Sequence, residues 1–479
     1  MIQRRIDALP LISGGVGLPA WRTRLAIKMK RNLVLQYSLR RSSMSSFSPR
    51  NSLTTSCSAA DQNKKSKVIV ISGPTGAGKS RLALEIAKKL DGEIISADSV
   101  QVYCALDIGS AKPSVTDRRE VPHHLIDTLH PSEDYSAGKF FEDARKATQD
   151  ILGKGRVPIV AGGTGLYLRW YIYGKPAVPK ASIEIASEVC SELMDLQRNG
   201  QWDAAVDLAV KAGDPKARFL PENNWYRLRR SLEIIRSSGS PPSAFSVPYD
   251  SFREQLDSRL TSCSVNGTSD LNNLQENPAK DLDYEFICLF LSSPRVALYR
   301  SIDLRCEEML MDPEGLLSES SWLLDIGLRP NMNSATRAIG YRQAMEYLLS
   351  CREQGGKSSP EEFYAFLYEF QKASRNFAKR QMTWFRNELI YNWLDASRPF
   401  EKVIDFICNA YYDQSGALVV PESLKMKKDN NGQRETYELK SYRTKNKLFI
   451  GDLDCHHVLN WIRRTQNTIR LANVESKKP

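Results

Sequence analysis

A short run of β-branched apolar residues at 68–71 predicts a buried strand. The glycine-rich segment 73–80 follows directly, and Leu82, Ile86 and Leu90 then recur at helical spacing. The chain therefore predicts a strand, a tight loop and an amphipathic helix in succession.

Two further apolar runs, residues 93–98 and 157–163, end in polar or small residues and are separated by helical patterns. Strands that alternate with helices predict an α/β fold with a parallel sheet and flanking helices on both faces. Ligands of such sheets bind outside the carboxyl ends of the strands, so we expect the three strand ends to share one crevice.

The hydrophobic pattern changes along the rest of the chain and suggests a division into parts. Residues 65–180 and 284–395 alternate strand and helix patterns and form the predicted α/β core, whereas 181–240 reads as a charged helical insertion. Residues 241–283 are rich in Pro, Ser and Asn and predict a flexible loop. The final part, 396–479, is a C-terminal extension without an assigned role.

The net charge of +11 is concentrated at the N-terminus, where residues 1–60 carry ten Arg and Lys against one acid, Asp7. The remaining 419 residues carry only +2, so the high isoelectric point is no argument for a nucleic-acid partner. The segment 1–64 is rich in Ser and Arg, which predicts a disordered transit peptide for plastid or mitochondrion. The alternatives are a basic arm that stays attached and a cytoplasmic form begun at Met29 or Met44.

Two other compositional features restrict the class of protein. No apolar run approaches the length of about 20 residues that crosses a bilayer, so we expect no membrane association. The nine cysteines are scattered without a CxxC pair, which is typical of a reduced compartment. The cluster Cys455-His456-His457 lacks a second ligand pair and is interpreted as a helix start rather than a zinc site.

The octet GPTGAGKS matches the phosphate-loop pattern G-x-x-x-x-G-K-[ST], in its strand–turn–helix context. Backbone amides of such a loop bind phosphate oxygens, Lys79 adds a charge, and the Ser80 hydroxyl is a candidate Mg²⁺ ligand. We therefore expect a diphosphate or triphosphate on Gly73, Pro74, Thr75, Gly76, Ala77, Gly78, Lys79 and Ser80.

The same loop leaves open which phosphate compound is bound. A typical P-loop NTPase has a second apolar strand that ends in a metal-binding Asp, but the run 157–160 ends in small residues. The acid instead ends the second strand, as Asp98, which suits either an indirect Mg²⁺ contact or a base beside the phosphate. A small-molecule kinase remains an alternative at this point.

Six segments, in order, resemble one family. They are GPTGAGKS, ADSVQVYCALDIGSAKP, VPHHLID, AGGTGLYL, RAIGYRQ and SRNFAKRQMTWFR, spread over residues 67–392. Together they resemble the tRNA dimethylallyltransferases, also called tRNA isopentenyltransferases, with a P-loop NTPase-like fold. The resemblance implies transfer of a dimethylallyl group from dimethylallyl diphosphate to N6 of adenine 37 in tRNA. It also implies that the enzyme is a monomer that uses Mg²⁺. The modified tRNA would then be a source of cis-zeatin-type cytokinins.

The resemblance also implies roles for individual residues. Asp98 would be the base that accepts a proton from N6, Thr164 would hydrogen-bond in the same pocket, and Lys79 and Arg337 would stabilise the leaving diphosphate. His123 and His124 are interpreted as structural. Three segments would contact tRNA: Asp98, Ser99, Val100 and Gln101 near the target base, Asn223, Arg227 and Arg230 in the insertion, and Lys379 and Arg380 beside the buried aromatics Trp384 and Phe385.

Some positions depart from the family pattern. Asn224, Trp225 and Tyr226 replace the usual Asp-Pro-Gln, and residues 183–188 lack an arginine common after the pocket threonine. Two related alternatives also remain. Adenylate isopentenyltransferases, which modify free AMP, ADP or ATP, typically have Lys where this chain has Ser99. A P-loop RNA-binding protein without catalysis would not need the intact set of candidate catalytic residues.

Overall fold

A computed structural model of the chain describes residues 65–254, 282–414, 418–426 and 433–467. The predicted transit peptide, most of the predicted flexible loop and the last twelve residues lie outside the described residues.

The centre of the fold is a six-stranded, all-parallel sheet in the order β3-β2-β4-β1-β5-β6. Both of its faces are covered, because Val68 and Val70 pack into one apolar cluster and Ile69 and Ile71 into another. The predicted α/β class and parallel sheet are thus confirmed. The strands are β1 (Lys67–Ser72), β2 (Gly92–Ser96), β3 (His123–His124), β4 (Val157–Gly162), β5 (Glu285–Ser292) and β6 (Asn392–Asp395).

Helices flank the sheet and form the insertion and the C-terminal part. Before the insertion lie α1 (Lys79–Leu90), α2 (Val115–Glu120), α3 (Ala137–Gly153) and α4 (Gly165–Tyr173). The insertion contains α5 (Ile183–Arg198), α6 (Trp202–Ala212) and α7 (Trp225–Ser238). After β5 come α8 (Arg295–Met311), α9 (Leu316–Asp325), α10 (Ser334–Arg337), α11 (Tyr341–Glu353), α12 (Pro360–Arg386), α13 (Phe400–Tyr412), α14 (Gln433–Lys440) and α15 (His456–Thr465).

The helical insertion has a small apolar core of its own. Val189 of α5, Trp202 of α6 and Leu228 of α7 are buried together, and the Trp202 ring meets Trp225 edge to face at 5.1 Å. The helices of the insertion therefore pack around a core separate from those on the two faces of the sheet.

The predicted flexible loop is partly wrong, because its first residues pack against the core. Tyr249 is only 5% exposed, its hydroxyl donates to the Asn387 carbonyl oxygen at 3.0 Å, and its ring lies 5.1 Å from that of Tyr173. The prediction relied on the Pro- and Ser-rich composition of the segment and overlooked two aromatic residues, Tyr249 and Phe252, that pack against the core.

The C-terminal extension is part of the folded core. Val403, Ile404 and Ile407 of α13 are buried on the same face of the sheet as Leu82 and Ile86 of α1. This face would be exposed without α13, so the extension completes the covering of the sheet.

The histidine pair and the Cys-His-His cluster both have structural surroundings. His124 Nε2 lies 2.7 Å from Oε2 of the buried Glu93. Burial opposes ionisation of Glu93, but hydrogen bonds led by His124 outweigh it and keep the pKa below its ordinary value. Buried Cys455 donates to the Asp452 carbonyl oxygen, and the described residues contain no group of three or more His, Cys, Asp or Glu that could hold a metal. None of the described helices combines the length and apolar character that crossing a bilayer requires.

The close approach of β4 to the end of β2 gives a stability prediction. A Cβ at Gly162 would lie 2.2 Å from the Ala97 carbonyl oxygen, so Gly162→Ala must push two strands apart. We expect the apparent free energy of unfolding in urea to fall by about 2 kcal/mol or more. Gly153→Ala is the matched control, because nothing lies within 4 Å of its Cβ. Equal unfolding midpoints for the two variants would contradict this packing.

Candidate active site

The carboxyl ends of β1, β2 and β4 open into one cavity of about 410 Å³, as predicted from the strand ends. Thr75 follows β1, Asp98 follows β2, and Thr164 follows β4. Helices α8 and α12 add both apolar residues, such as Ile302 and Phe377, and polar residues to the lining of the cavity. The sheet therefore brings the phosphate loop, an acid and a hydroxyl to one space.

The phosphate loop has the backbone geometry that its glycines allow. Gly76 and Gly78 adopt φ values of 80° and 87°, in the left-handed region, and Gly78 is the N-cap of α1. The first turn of α1 leaves the amides of Lys79 and Ser80 without intrahelical acceptors, and the helix dipole adds partial positive charge there. The loop is thus shaped to bind an anion.

Lys79 lies at the base of this loop, and its Nζ donates to the Pro74 carbonyl oxygen at 2.8 Å. Burial is the main cause that lowers the pKa of Lys79 to about 8, and the positive charge of Arg305 adds to it, while Asp98 opposes the shift. Two cations are therefore held near one carboxylate. An added anion would relieve their mutual repulsion.

Asp98 has a fixed orientation at the end of β2. Its Oδ1 accepts hydrogen bonds from the amides of Val100 at 2.8 Å and Gln101 at 3.4 Å. Thr164 lines the same cavity; its amide donates to the Ala97 carbonyl oxygen at 3.4 Å, and its side chain makes no capping hydrogen bond with α4. The carboxylate and the hydroxyl thus reach the cavity from adjacent strands.

Three arginines line the cavity: Arg305, Arg337 and Arg380. Arg337 and Arg380 were predicted from the sequence, whereas Arg305 was not. Arg337 ends α10, is exposed, and donates to the Asn331 carbonyl oxygen at 3.3 Å. Arg305 of α8 is partly buried, and burial lowers its pKa. Within the described part of the chain it forms no ion pair. The only sequence signal for Arg305 was its helical spacing with Ile302 and Met309, which face the cavity too.

Gln381 is a second residue that the sequence did not indicate. Its side-chain oxygen accepts from the Thr75 amide at 2.9 Å, and its amide nitrogen donates to the Gly163 carbonyl oxygen at 3.0 Å. A buried side chain of α12 thereby joins the phosphate loop to the end of β4. Around it, Phe385 is buried and Trp384 half-buried, whereas Lys379 and Arg380 are exposed and Arg380 reaches the cavity.

The predicted tRNA-contacting residues near Asp98 differ in position. Ser99 and Val100 line the cavity. Gln101, however, is 9% exposed, accepts from the Ser96 hydroxyl at 2.8 Å and donates to the carbonyl oxygen of Ser110 at 3.2 Å. The polar atoms of Gln101 thus hold the loop after β2 together, and its contact with tRNA stays a prediction.

The predicted contacts of the insertion lie at the start of α7. Asn223 has a φ of 61° in the exposed turn before the helix, and Arg227 is exposed. Arg230 instead bonds within the protein, to Glu233 Oε2 at 3.1 Å and to the Pro179 carbonyl oxygen at 3.1 Å. These bonds give Arg230 a structural role in attaching α7 to the segment that enters the insertion.

The family model described as IPP transferase matches residues 101–388, and the model described as isopentenyl transferase matches residues 66–127. The chain is 62% identical over 429 residues to tRNA dimethylallyltransferase 9 of Arabidopsis thaliana, covering 88% of this chain and 93% of that one. The chain belongs to the tRNA dimethylallyltransferase family. The family prediction is therefore confirmed, and the protein is a prenyltransferase.

Other similar proteins support the same family assignment. The tRNA dimethylallyltransferase of Protochlamydia amoebophila is 37% identical over 352 residues, covering 73% of this chain and 90% of that one. A solved structure of a eukaryotic dimethylallyltransferase acting on tRNA aligns with a TM-score of 0.52 at 23% identity, over 86% of this chain and 98% of that one. This structural likeness supports the assigned fold.

The lowered pKa of Lys79 gives a pH prediction. In the free protein Lys79 is charged below about pH 8, so affinity for inorganic pyrophosphate should fall as pH rises through that value. Lys79→Arg stays charged throughout and corrects for titration of pyrophosphate itself. Arg305→Gln should move the midpoint upward, because one like charge is removed. The affinity for pyrophosphate is measured by isothermal titration calorimetry from about pH 6.5 to about 9.5. Identical pH profiles of affinity for wild type and Lys79→Arg would contradict the prediction.

Proposed function

We propose that this protein transfers the dimethylallyl group of dimethylallyl diphosphate to N6 of adenine 37 in tRNA. One observation carries the proposal: the phosphate loop and the Asp98 carboxylate open into the same cavity. A leaving diphosphate and an attacking amine must lie on opposite sides of one carbon. A cationic cradle and a base that share one space suit that arrangement.

The cradle would stabilise the negative charge that develops on the diphosphate as the allylic C–O bond breaks. The amides of the loop, Lys79 and the cavity arginines Arg305 and Arg337 can all contribute. Preorganised positive groups of this kind are usually the largest contribution to catalysis. Departure of diphosphate from carbon does not require the metal-binding acid that serves phosphoryl transfer in P-loop NTPases. The absence of an acid at the end of β4 agrees with this.

The residues present also fit Mg²⁺. The Ser80 hydroxyl is exposed in the first turn of α1, and Mg²⁺ prefers oxygen ligands from few side chains together with substrate phosphates. Ser80 would hold the ion beside the diphosphate. Bound there, Mg²⁺ would supply further positive charge for the leaving group.

Asp98 is the proposed base. As N6 forms its bond to the allylic carbon and the bond to diphosphate breaks, the N6 proton passes to the Asp98 carboxylate. Thr164 would hydrogen-bond within the same pocket, and the apolar wall with Met309 and Phe370 suits a five-carbon prenyl group. Adenine 37 must leave its stack to enter, at a cost of a few kcal/mol that is smallest in a loop.

Further parts of the proposal concern tRNA contacts and location. Ser99 and Val100 lie where the extruded base would enter, and the exposed cations Arg227, Lys379 and Arg380 suit phosphate contacts. We propose that the basic segment 1–64 directs a monomeric enzyme to plastid or mitochondrion, with a cytoplasmic form as the alternative. After a separate hydroxylation of the prenyl group, breakdown of the modified tRNA would release cytokinins of the cis-zeatin type.

A direct assay tests the reaction. The full-length protein is incubated with labelled dimethylallyl diphosphate, Mg²⁺ and one acceptor: unmodified tRNA with adenine 37, the same tRNA with guanine 37, or AMP. We expect label only in the adenine 37 tRNA. Label in AMP alone would assign an adenylate isopentenyltransferase, and label in the guanine 37 tRNA would reject the proposed position.

A substitution tests the role of Asp98. Asp98→Asn keeps the size of the side chain and removes the base, so kcat should fall by about 10²- to 10⁴-fold while the Kd for tRNA changes little. Asp150→Asn makes the same chemical change at an exposed position of α3 outside the cavity, so this control should keep the wild-type kcat. Parallel losses of kcat and tRNA affinity in Asp98→Asn would remove it from the role of base.

A further inference from the structure

The C-terminal extension contains a segment, residues 441–450, that crosses the outer side of α8 and α12; we call it the strap. Its exposure alternates: Arg443, Lys445 and Lys447 are exposed, whereas Tyr442, Thr444, Asn446 and Leu448 are partly buried. An alternation of period two is that of an extended chain, whose successive side chains face opposite sides. The strap thus has an anchoring side and a cationic side.

Side chains on the anchoring side bind α8 and α12. The Tyr442 hydroxyl donates to Asp303 Oδ2 at 2.7 Å, Arg375 donates to the Thr444 hydroxyl at 3.0 Å, and Gln371 donates to Asn446 Oδ1 at 3.0 Å. These three bonds, spaced two residues apart along the strap, fix both its path and its register.

The end of the strap is held by a buried carboxylate. Glu307 of α8 accepts hydrogen bonds from three successive backbone amides, those of Lys447 at 2.9 Å, Leu448 at 2.7 Å and Phe449 at 3.1 Å. Phe449 is itself buried, 5.0 Å from the ring of Phe363. The strap is therefore a rigid part of the surface.

The cationic side has no acidic partners among the described residues. In the part of the chain that the structure describes, Arg443, Lys445 and Lys447 form no ion pair, and Arg443 bonds only to backbone carbonyl oxygens. The acids beneath the strap are satisfied already, Asp303 by Arg375 and Glu307 by the amides. The outer surface consequently presents three cations in a row, about 7 Å apart in an extended chain.

The strap lies close to the reaction cavity. Ile302 and Cys306 of α8 and Ser374 and Phe377 of α12 line the cavity, while Asp303, Glu307, Gln371 and Arg375 of the same helices hold the strap. The cavity and the strap therefore lie on different faces of the same two helices, and a helix is about 10 Å across.

We propose that the strap binds the sugar–phosphate backbone of tRNA through Arg443, Lys445 and Lys447. A fixed, evenly spaced row of unpaired cations fits a repeating anion, and a backbone contact positions the RNA without reading its sequence. This proposal rests on the proposed function. It gives the C-terminal extension a role in substrate binding in addition to covering the sheet.

The test compares three variants of the full-length protein. The neutral strap variant, R443Q/K445Q/K447Q, leaves every anchoring residue in place. The control K146Q/K357Q/K402Q removes the same total charge at exposed positions on α3, before α12 and on α13. The variant R443K/K445R/K447R keeps the charge of the strap. The Kd for unmodified adenine 37 tRNA is measured by fluorescence anisotropy from about 50 to about 200 mM KCl.

We expect the neutral strap variant to lose about tenfold or more in tRNA affinity at the lowest salt, and its plot of log K against log salt to flatten by about 2. The KM for tRNA should rise, while kcat and the KM for dimethylallyl diphosphate stay unchanged. The control and the charge-preserving variant should resemble wild type.

Two results would overturn the proposal: equal weakening of the neutral strap variant and the control, which indicates a general charge effect, or wild-type affinity and salt dependence in the neutral strap variant. Failure of the proposed function is visible separately, because wild-type protein would then transfer no prenyl group to tRNA whatever the strap variants bind.

Discussion

The active site depends on the pairing of β4 with both β1 and β2. Ser72 of β1 lies opposite Gly162, and Ser96 of β2 lies opposite Ala161, so the three strands end at the same level. The phosphate loop, Asp98 and Thr164 each follow one of these ends within two residues. Parallel pairing in this register brings together groups that are far apart in the sequence. Gln381 hydrogen-bonds to both Thr75 and Gly163 and so links the loops that follow β1 and β4.

The cavity holds more positive than negative charge, which suits an anionic ligand. Lys79 and Arg305 lie near each other with Asp98 as the nearby carboxylate, and burial makes the charged form of each cation less favourable. In the proposed function, a bound diphosphate would compensate this cost, so part of the instability of the free site would become affinity for the donor. The same anion would leave when the allylic bond breaks, so one set of charges would serve both binding and catalysis.

The C-terminal extension is an integral part of the folded enzyme. The IPP transferase model ends at residue 388, yet α13 covers one face of the sheet and the strap is bonded to both helices of the cavity wall. Glu307 would lose the three backbone amides that satisfy it if the strap were absent, and an unpaired buried carboxylate is costly. The extension therefore stabilises the surface behind the active site, whatever it binds.

The sequence by itself determined the features that depend on neighbouring residues. The apolar runs, the glycines of 73–80 and the helical spacing after them specify a strand, a loop and a helix, because left-handed turns need glycine and a buried strand needs an unbroken apolar run. Asp98 and Thr164 were predictable for the same reason, since each follows a strand directly. The six motifs then sufficed for the family.

Only the tertiary structure decided which distant side chains complete the site. Arg305 and Gln381 lie in helices whose patterns indicate burial, and nothing local distinguishes them from core or surface residues. Gln101 and Arg230 were predicted to contact RNA, and only the fold shows that they also bond within the protein, to the carbonyl oxygens of Ser110 and Pro179. The strap, too, could not be recognised from its sequence, because its path depends on carboxylates of α8 and on Gln371 and Arg375 of α12. Long-range contacts of this kind depend on how elements pack, and packing is a property of the whole chain.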